Sequence, residues 1–273
     1  MIVDSHCHAW TTWPYDTNVP DPQHRGTIER LLFEMDKEGV DKAVLICARI
    51  DFNPDNNQYV FEASKRWPDR VIQFPDVDSG WSPEYHTPGA TDRLKAAIDR
   101  WDIAGFTHYV NEANDGWLVS DEGMAFFALA AEANQIASIA AGSAWFADIR
   151  TVARAFPTLP ILLHHQGMVR SVDGPGSPAL AELLACADVP NIAVKASGFY
   201  YGSKDWAEYP YVEQQQTFRT IAAAFGAKRL AWGSDYPVSP WVACTFRQTL
   251  DVVRVHSASH LSAASSGGFA LSW

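Results

Sequence analysis

The sequence predicts an α/β chain folded as a (β/α)8 TIM barrel, with residues 1–273 forming one domain. Two observations carry that expectation. Eight short, β-branched runs alternate with helical patterns along the chain, the signature of parallel strands joined by crossover helices. The segments that follow strands one, three, four and seven are long, whereas the returns from helix to strand are short. Unequal loops of that kind belong to a barrel with one elaborated face. A doubly wound open sheet is the alternative, but the first strand lacks the glycine-rich turn that cradles a dinucleotide.

The strands are expected at Ile2–His6, Lys42–Cys47, Val71–Phe74, Ile103–Thr107, Ile136–Ala140, Ile161–His165, Asn191–Ala196 and Leu230–Asp235. Several are almost unbroken apolar runs, as strands buried on both faces require. Thr27 is placed to cap a first helix with face Ile28, Leu31, Leu32 and Met35, and Gly39 to stop it. A second helix ends at Trp67 before Pro68. Leu94, Ala97, Ile98 and Trp101 mark the third, and Ser120 caps a fourth running through Met124–Asn134. Ile149, Val152, Ala153 and Phe156 repeat the spacing, as do Phe218, Ile221, Ala222 and Phe225. Pro178–Ala187 and Trp241–Val255 complete the set, and the Ser/Ala-rich Ser257–Ser266 reads as a closing helix or loop.

The net charge is −11, with 32 acidic against 21 basic residues, which argues against nucleic acid and against an anionic membrane surface. No apolar run reaches the roughly 18 residues of a membrane span, and no signal-peptide pattern follows Met1. The four separated cysteines read as reduced thiols, so a cytoplasmic protein is expected. Homo-oligomerisation is left open.

The chemistry concentrates at strand ends. His6 and His8 are two residues apart, so on a strand both project to one face. Two imidazoles so placed can hold a divalent ion or direct two N–H groups at one oxygen. Asp235 ends strand eight, which neighbours strand one in a closed barrel, and should face both histidines across the seam. His164 and His165 end strand six. Aromatic residues crowd the long loops, Trp10, Trp13, Trp117, Trp206 and Tyr200 among them, and suggest walls able to hold a ring. His108 and Glu112 follow strand four, and Arg49 and Arg170 are placed to clamp a substrate carboxylate or to form surface ion pairs. Lys195 reads equally as a buried paired lysine and as a catalyst. His86, in a long loop, reads as solvated.

His6-x-His8, His165-Gln166-Gly167 and Gly233-Ser234-Asp235-Tyr236-Pro237, in that order, resemble the amidohydrolase-2 family. Val194-Lys195-Ala196-Ser197-Gly198 and Trp67-Pro68-Asp69-Arg70 extend the resemblance along nearly the whole chain. Within the family, the chain is similar to the lactonase branch containing the pyrone-dicarboxylate, fuconolactone and sulfomuconolactone hydrolases. The resemblance implies a hydrolase acting on a small cyclic ester, with Asp235 as general base and His6, His8 and His165 polarising the carbonyl. From their places in the loops after the strands, His108, Tyr200, Trp10, Trp117 and Arg49 are the substrate-contacting candidates. At most one Zn2+ per chain is expected, on His6, His8 and Asp235; the resemblance does not decide whether it is bound, because relatives in this branch occur with and without a metal. The strand-four lysine and strand-five histidine of two-metal members are missing from Phe106-Thr107-His108 and Ser138-Ile139-Ala140. The usual Asp-His pair of strand six reads His164-His165; His165 takes the site position and His164 is expected to face the helix layer. Other readings are a decarboxylase or hydratase of the same family, and a barrel that binds a small molecule without catalysis.

Overall fold

The computed structural model describes residues 1–15, 20–50, 52–205 and 208–256. Trp206 and Ser257–Ser266 lie outside the described residues. Eight parallel strands alternate with helices: β1 Val3–Cys7, β2 Lys42–Ile46, β3 Val71–Phe74, β4 Gly105–Tyr109, β5 Ile136–Ala140, β6 Ile161–Leu163, β7 Ile192–Ala196 and β8 Leu230–Trp232. They form a three-stranded sheet, β1-β2-β3, and a five-stranded sheet, β4 through β8 in order.

Backbone hydrogen bonds stitch the two sheets into a ring. At one seam Thr107 N donates to Pro75 O (2.8 Å) and Val77 N to Thr107 O (3.0 Å). At the other, Asp235 N donates to His6 O (2.8 Å) and His8 N to Tyr236 O (2.6 Å). The second seam is also tied by a side chain. Buried Asp4 accepts from Ser234 N (2.9 Å), from Ser234 Oγ and from His6 N (3.1 Å). The strands pass closely here: a Cβ on Gly233 would stand 2.5 Å from His6 Cβ and 3.1 Å from His6 N, so glycine is required.

The helices pack outside this ring. α1 (Ile28–Glu38) buries Ile28, Leu31, Leu32 and Met35, with Thr27 Oγ1 accepting from Arg30 N and Gly39 taking the left-handed stop. α2 is Asn56–Arg66, α3 Ala90–Trp101, α4 Asp121–Glu132, α5 Phe146–Ala155, α6 Pro178–Ala185 and α7 Val212–Phe225. The final helix expected over Trp241–Val255 is instead broken. α8 (Val238–Val242) ends, and α9 (Phe246–Asp251) starts afresh at a capping box in which Thr245 and Gln248 bond each other's backbone N–H. A wide turn, Val252–His256, follows.

Strands β6 and β8 are shorter than the sequence suggests. The chain leaves β6 at Leu163 and turns left-handed at His165 (φ 42°), while β8 ends three residues before Asp235, itself left-handed (φ 56°). These turns aim the site residues. The four cysteines are buried and free. Among the described residues, no helix is long and apolar enough to cross a membrane.

Candidate active site

His6, His8, His165 and Asp235 meet at the C-terminal end of the barrel. His8 Nε2 and His6 Nε2 lie 3.3 Å and 3.4 Å from Asp235 Oδ1, and His165 Nε2 lies 3.9 Å from it. Each histidine has its other nitrogen engaged behind it. His8 Nδ1 donates to Ile46 O (2.7 Å), His6 Nδ1 meets Lys195 Nζ (3.0 Å), and His165 Nδ1 meets Ser197 Oγ (3.0 Å). Gly198, at φ 60°, lets this happen, because a Cβ there would come within 2.7 Å of His165 Nδ1. On the far side of Asp235, Oδ2 accepts from Tyr201 (3.0 Å) and from Tyr200.

The charge states follow from this packing. Burial alone would raise the Asp235 carboxyl. His165 and the contacts from His6 and His8 outweigh it and hold the group well below the usual carboxylate range. Burial, followed by Lys195, pushes His6 well below the usual imidazole range, and burial lowers His165 to about 4. Burial likewise drives Lys195 well down. The cluster therefore holds an ionised Asp235 beside the neutral imidazoles of His6 and His165.

Neutral imidazoles around a carboxylate also suit a metal. Because Nδ1 of His8 must donate to a carbonyl, Nε2 of a neutral His8 presents a lone pair to Asp235. Buried His6 Nε2 has no hydrogen-bond partner. Three ligand atoms at corners of a tetrahedron with 2.0–2.1 Å bonds stand about 3.3 Å apart, close to the 3.3 and 3.4 Å measured here. His6, His8 and Asp235 thus fit one divalent ion.

The other expected residues fall in several places. Tyr200 is buried against Asp235, and Trp10 is stacked on His8 (ring centroids 5.0 Å apart) with Nε1 donating to Ala48 O. Three others leave the cluster. His108 points outward from β4, its Nδ1 on Val77 O and its Nε2 3.2 Å from His86 Nε2. Trp117 stacks on His86, with centroids 4.1 Å apart, and packs against Phe126. Arg49 is exposed, bonds Pro54 O and lines a separate cleft with Asp76 and Arg93. Strand alternation explains the departure of His108, since Tyr109, next to it, is the residue that faces inward. His86 is not solvated: its side chain is 5% exposed and bonds Asp115. Arg170 is exposed, and Glu112 lies on the rim of the cavity described below.

His164 is a further correction. It faces the barrel interior, with Nε2 on Ser138 Oγ (2.7 Å) and its ring 4.5 Å from that of His6. The left-handed turn at His165 breaks strand alternation, so neighbours His164 and His165 both reach the cluster. Ser138 also accepts from Lys195 Nζ (2.7 Å). Beside the cluster opens a cavity of about 770 Å³ lined by His165, Tyr109, Tyr201, Asn111, Glu112 and Asp173, among others. Of its described lining residues, two are acidic and none is lysine or arginine.

A family profile described as Amidohydrolase (Amidohydro_2) matches residues 3–241. The chain belongs to the amidohydrolase family. As a member of it, the protein is an enzyme, and the family and its relatives make it a hydrolase. Over 255 residues, 87% of this amidohydrolase and 80% of the relative, it is 24% identical to an L-fucono-1,5-lactonase of Burkholderia ambifaria. It is 37% identical to an uncharacterized protein, y4mH, of Sinorhizobium fredii, over a segment covering 32% of this chain and 28% of that protein. Among solved structures, it resembles a probable 2-pyrone-4,6-dicarboxylic acid hydrolase of Acinetobacter baumannii with citric acid bound (TM-score 0.72, 20% identity, 95% of both chains). An amidohydrolase of Burkholderia multivorans with bound Zn has the same TM-score at 18% identity, over 97% of this chain and 94% of that one. A 2,6-dihydroxybenzoate decarboxylase from Rhizobium shares the fold more distantly (TM-score 0.60, 15% identity, 97% and 99% of the two chains).

Proposed function

We propose that this amidohydrolase opens a lactone, and that its substrate is an uncharged, hydroxylated ring of the sugar-lactone kind. The observation that carries the reading is an ionised Asp235 beside the neutral His6 and His165, next to a cavity whose described lining has no lysine or arginine. A dicarboxylate would need cationic clamps. A polyhydroxy ring instead finds hydroxyl, amide and carboxylate partners in Tyr109, Asn111 and Glu112. The likeness to a fuconolactonase supports the same substrate class.

In this mechanism Asp235 removes a proton from an attacking water. Tyr200 and Tyr201 hold Oδ2, which leaves Oδ1 for the water. When Ser197 Oγ–H donates to His165 Nδ1, the His165 proton sits on Nε2 and can stabilise the oxyanion as it develops. The leaving alkoxide remains tethered to the opened product, so protonated Asp235 can return its proton there. An ion held by His6, His8 and Asp235 would add Lewis-acid polarisation of the carbonyl.

The test is a panel of γ- and δ-lactones of sugar acids, with a pyrone dicarboxylate and matching amides as comparators, followed by a pH indicator. Turnover of the neutral lactones is expected, with little on the others. CO2 release from an aromatic acid, without lactone turnover, would favour decarboxylation instead. Decarboxylases of this family use a strand-five histidine, and β5 here carries Ser138 facing the interior. Tight ligand binding with no turnover of any kind would leave a binding-only barrel.

A further inference from the structure

Below the Asp235 cluster, three imidazoles converge. His6, His164 and His165 are buried, and one nitrogen of each lies within 4.8 Å of the other two. The His6 ring stands 4.5 Å from that of His164 and 4.4 Å from that of His165. All three have one nitrogen held from behind: His6 Nδ1 by Lys195, His164 Nε2 by Ser138 and His165 Nδ1 by Ser197. The opposite nitrogens are left over. His6 Nε2 and His164 Nδ1 are buried without a hydrogen-bond partner, and His165 Nε2 lies 3.9 Å from Asp235 Oδ1. A buried polar atom left unpaired is costly, and here two such atoms occupy neighbouring rings. A ring fixed through one nitrogen with the other free is the arrangement of a metal-binding histidine and its outer partner.

We infer that His6, His164 and His165 form an all-imidazole seat for a divalent transition metal, separate from the His6–His8–Asp235 set but sharing His6 with it. With Lys195 on Nδ1, His6 has only Nε2 to offer, so the two seats exclude each other and the chain takes one ion. Three imidazoles and no carboxylate favour Cu2+, Ni2+ or Zn2+ over Mg2+, Ca2+ or Mn2+. The serine hydroxyls behind His164 and His165 can rotate to accept the ring N–H that ligation requires. An ion in this seat draws His6 and His165 away from Asp235, so its occupation opposes hydrolysis. The seat itself does not depend on the reaction proposed above.

The experiment uses the metal-free full chain carrying Asp235→Asn, which removes the carboxylate from the other seat. Cu2+ is titrated in and its nitrogen ligands are counted by electron paramagnetic resonance. One ion bound by three imidazoles is expected. Adding His164→Gln, which keeps a nitrogen toward Ser138 but removes Nδ1, should weaken binding at least about 10-fold and leave two imidazoles. Circular dichroism and melting establish that both variants fold. Should the second substitution prevent folding, 113Cd–15N coupling in the Asp235→Asn protein decides the matter alone. Coupling to His164 Nδ1 supports the seat. A 113Cd spectrum without that coupling overturns it, as does an unchanged copper spectrum after His164→Gln. Lactone turnover by the metal-free wild type is measured separately, so the seat and the hydrolase reading can fail independently.

Discussion

Replacing Asp235 by asparagine tests the centre of the proposed chemistry. The substitution preserves volume, and the amide oxygen can still accept the Tyr201 hydroxyl, which lies 3.0 Å from Oδ2 in the wild type. What disappears is the negative charge and the base. General-base catalysis contributes about 10²- to 10⁴-fold, so kcat should fall by at least about 10²-fold, or about 3 kcal/mol at 1.36 kcal/mol per tenfold. The fold should survive with some loss of stability, because the amide keeps the side-chain volume and the Tyr201 hydrogen bond while the charge that the histidines stabilise is removed. The assay is kcat on whichever lactone the wild type turns over, beside a melting curve. A properly folded Asp235→Asn enzyme with kcat within about tenfold of wild type would refute the reasoning, since that loss is below the range expected for a general base.

Four further outcomes follow from the geometry. With His165 lowered to about 4, kcat/KM should stay level from neutral pH down to roughly 5 and drop only near 4; a midpoint between 6 and 7 would mean the imidazole is not neutral in the resting cluster. His165 and His108 are both lowered to about 4 from an ordinary 6.5, so the unfolded chain binds more protons across that window. Stability of the metal-free protein should therefore fall as pH falls from 6.5 to 4, by about 3 kcal/mol for each residue, and urea titrations that coincide at pH 7 and 4.5 would contradict this. Gly233→Ala should lower stability by about 1–3 kcal/mol and damage activity, because its Cβ meets His6 backbone and Cβ rather than a yielding side-chain tip; an unshifted melting temperature would show that the seam relaxes. Elemental analysis should give zero or one ion per chain, and two equivalents would require a bridging ligand.

Much of the fold was legible because its signals are local. Thr27 and Gly39 bound a helix whose buried face was visible as Ile28, Leu31, Leu32 and Met35, since capping and periodicity need only a few neighbouring residues. The last helix was misread because the apolar spacing continues past Thr245, where the capping box with Gln248 restarts the chain in a new direction. Register at the seams was not legible. It depends on Asp4 reaching Ser234 across 230 positions of sequence, an interaction that no window of periodicity contains.

The site divides along the same line. His6, His8 and Asp235 could be paired because two rules suffice, alternation along β1 and the adjacency of the first and last strands of a closed barrel. His108 and Trp117 were misplaced because alternation on β4 turns Tyr109 inward and His108 out toward His86. His164 was misplaced for the opposite reason: alternation was applied past Leu163, where the strand has already ended and His165 turns left-handed. That turn decides the chemistry available. Had the strand continued, His165 alone would have joined His6, and His164 Nε2 would not have met Ser138. Instead the turn brings two imidazoles against His6, with Ser138 of β5 holding His164 and Ser197, just past β7, holding His165. The only forewarning in the sequence was a doubled histidine before Gln166-Gly167, where a glycine able to take positive φ makes a sharp left-handed turn inexpensive.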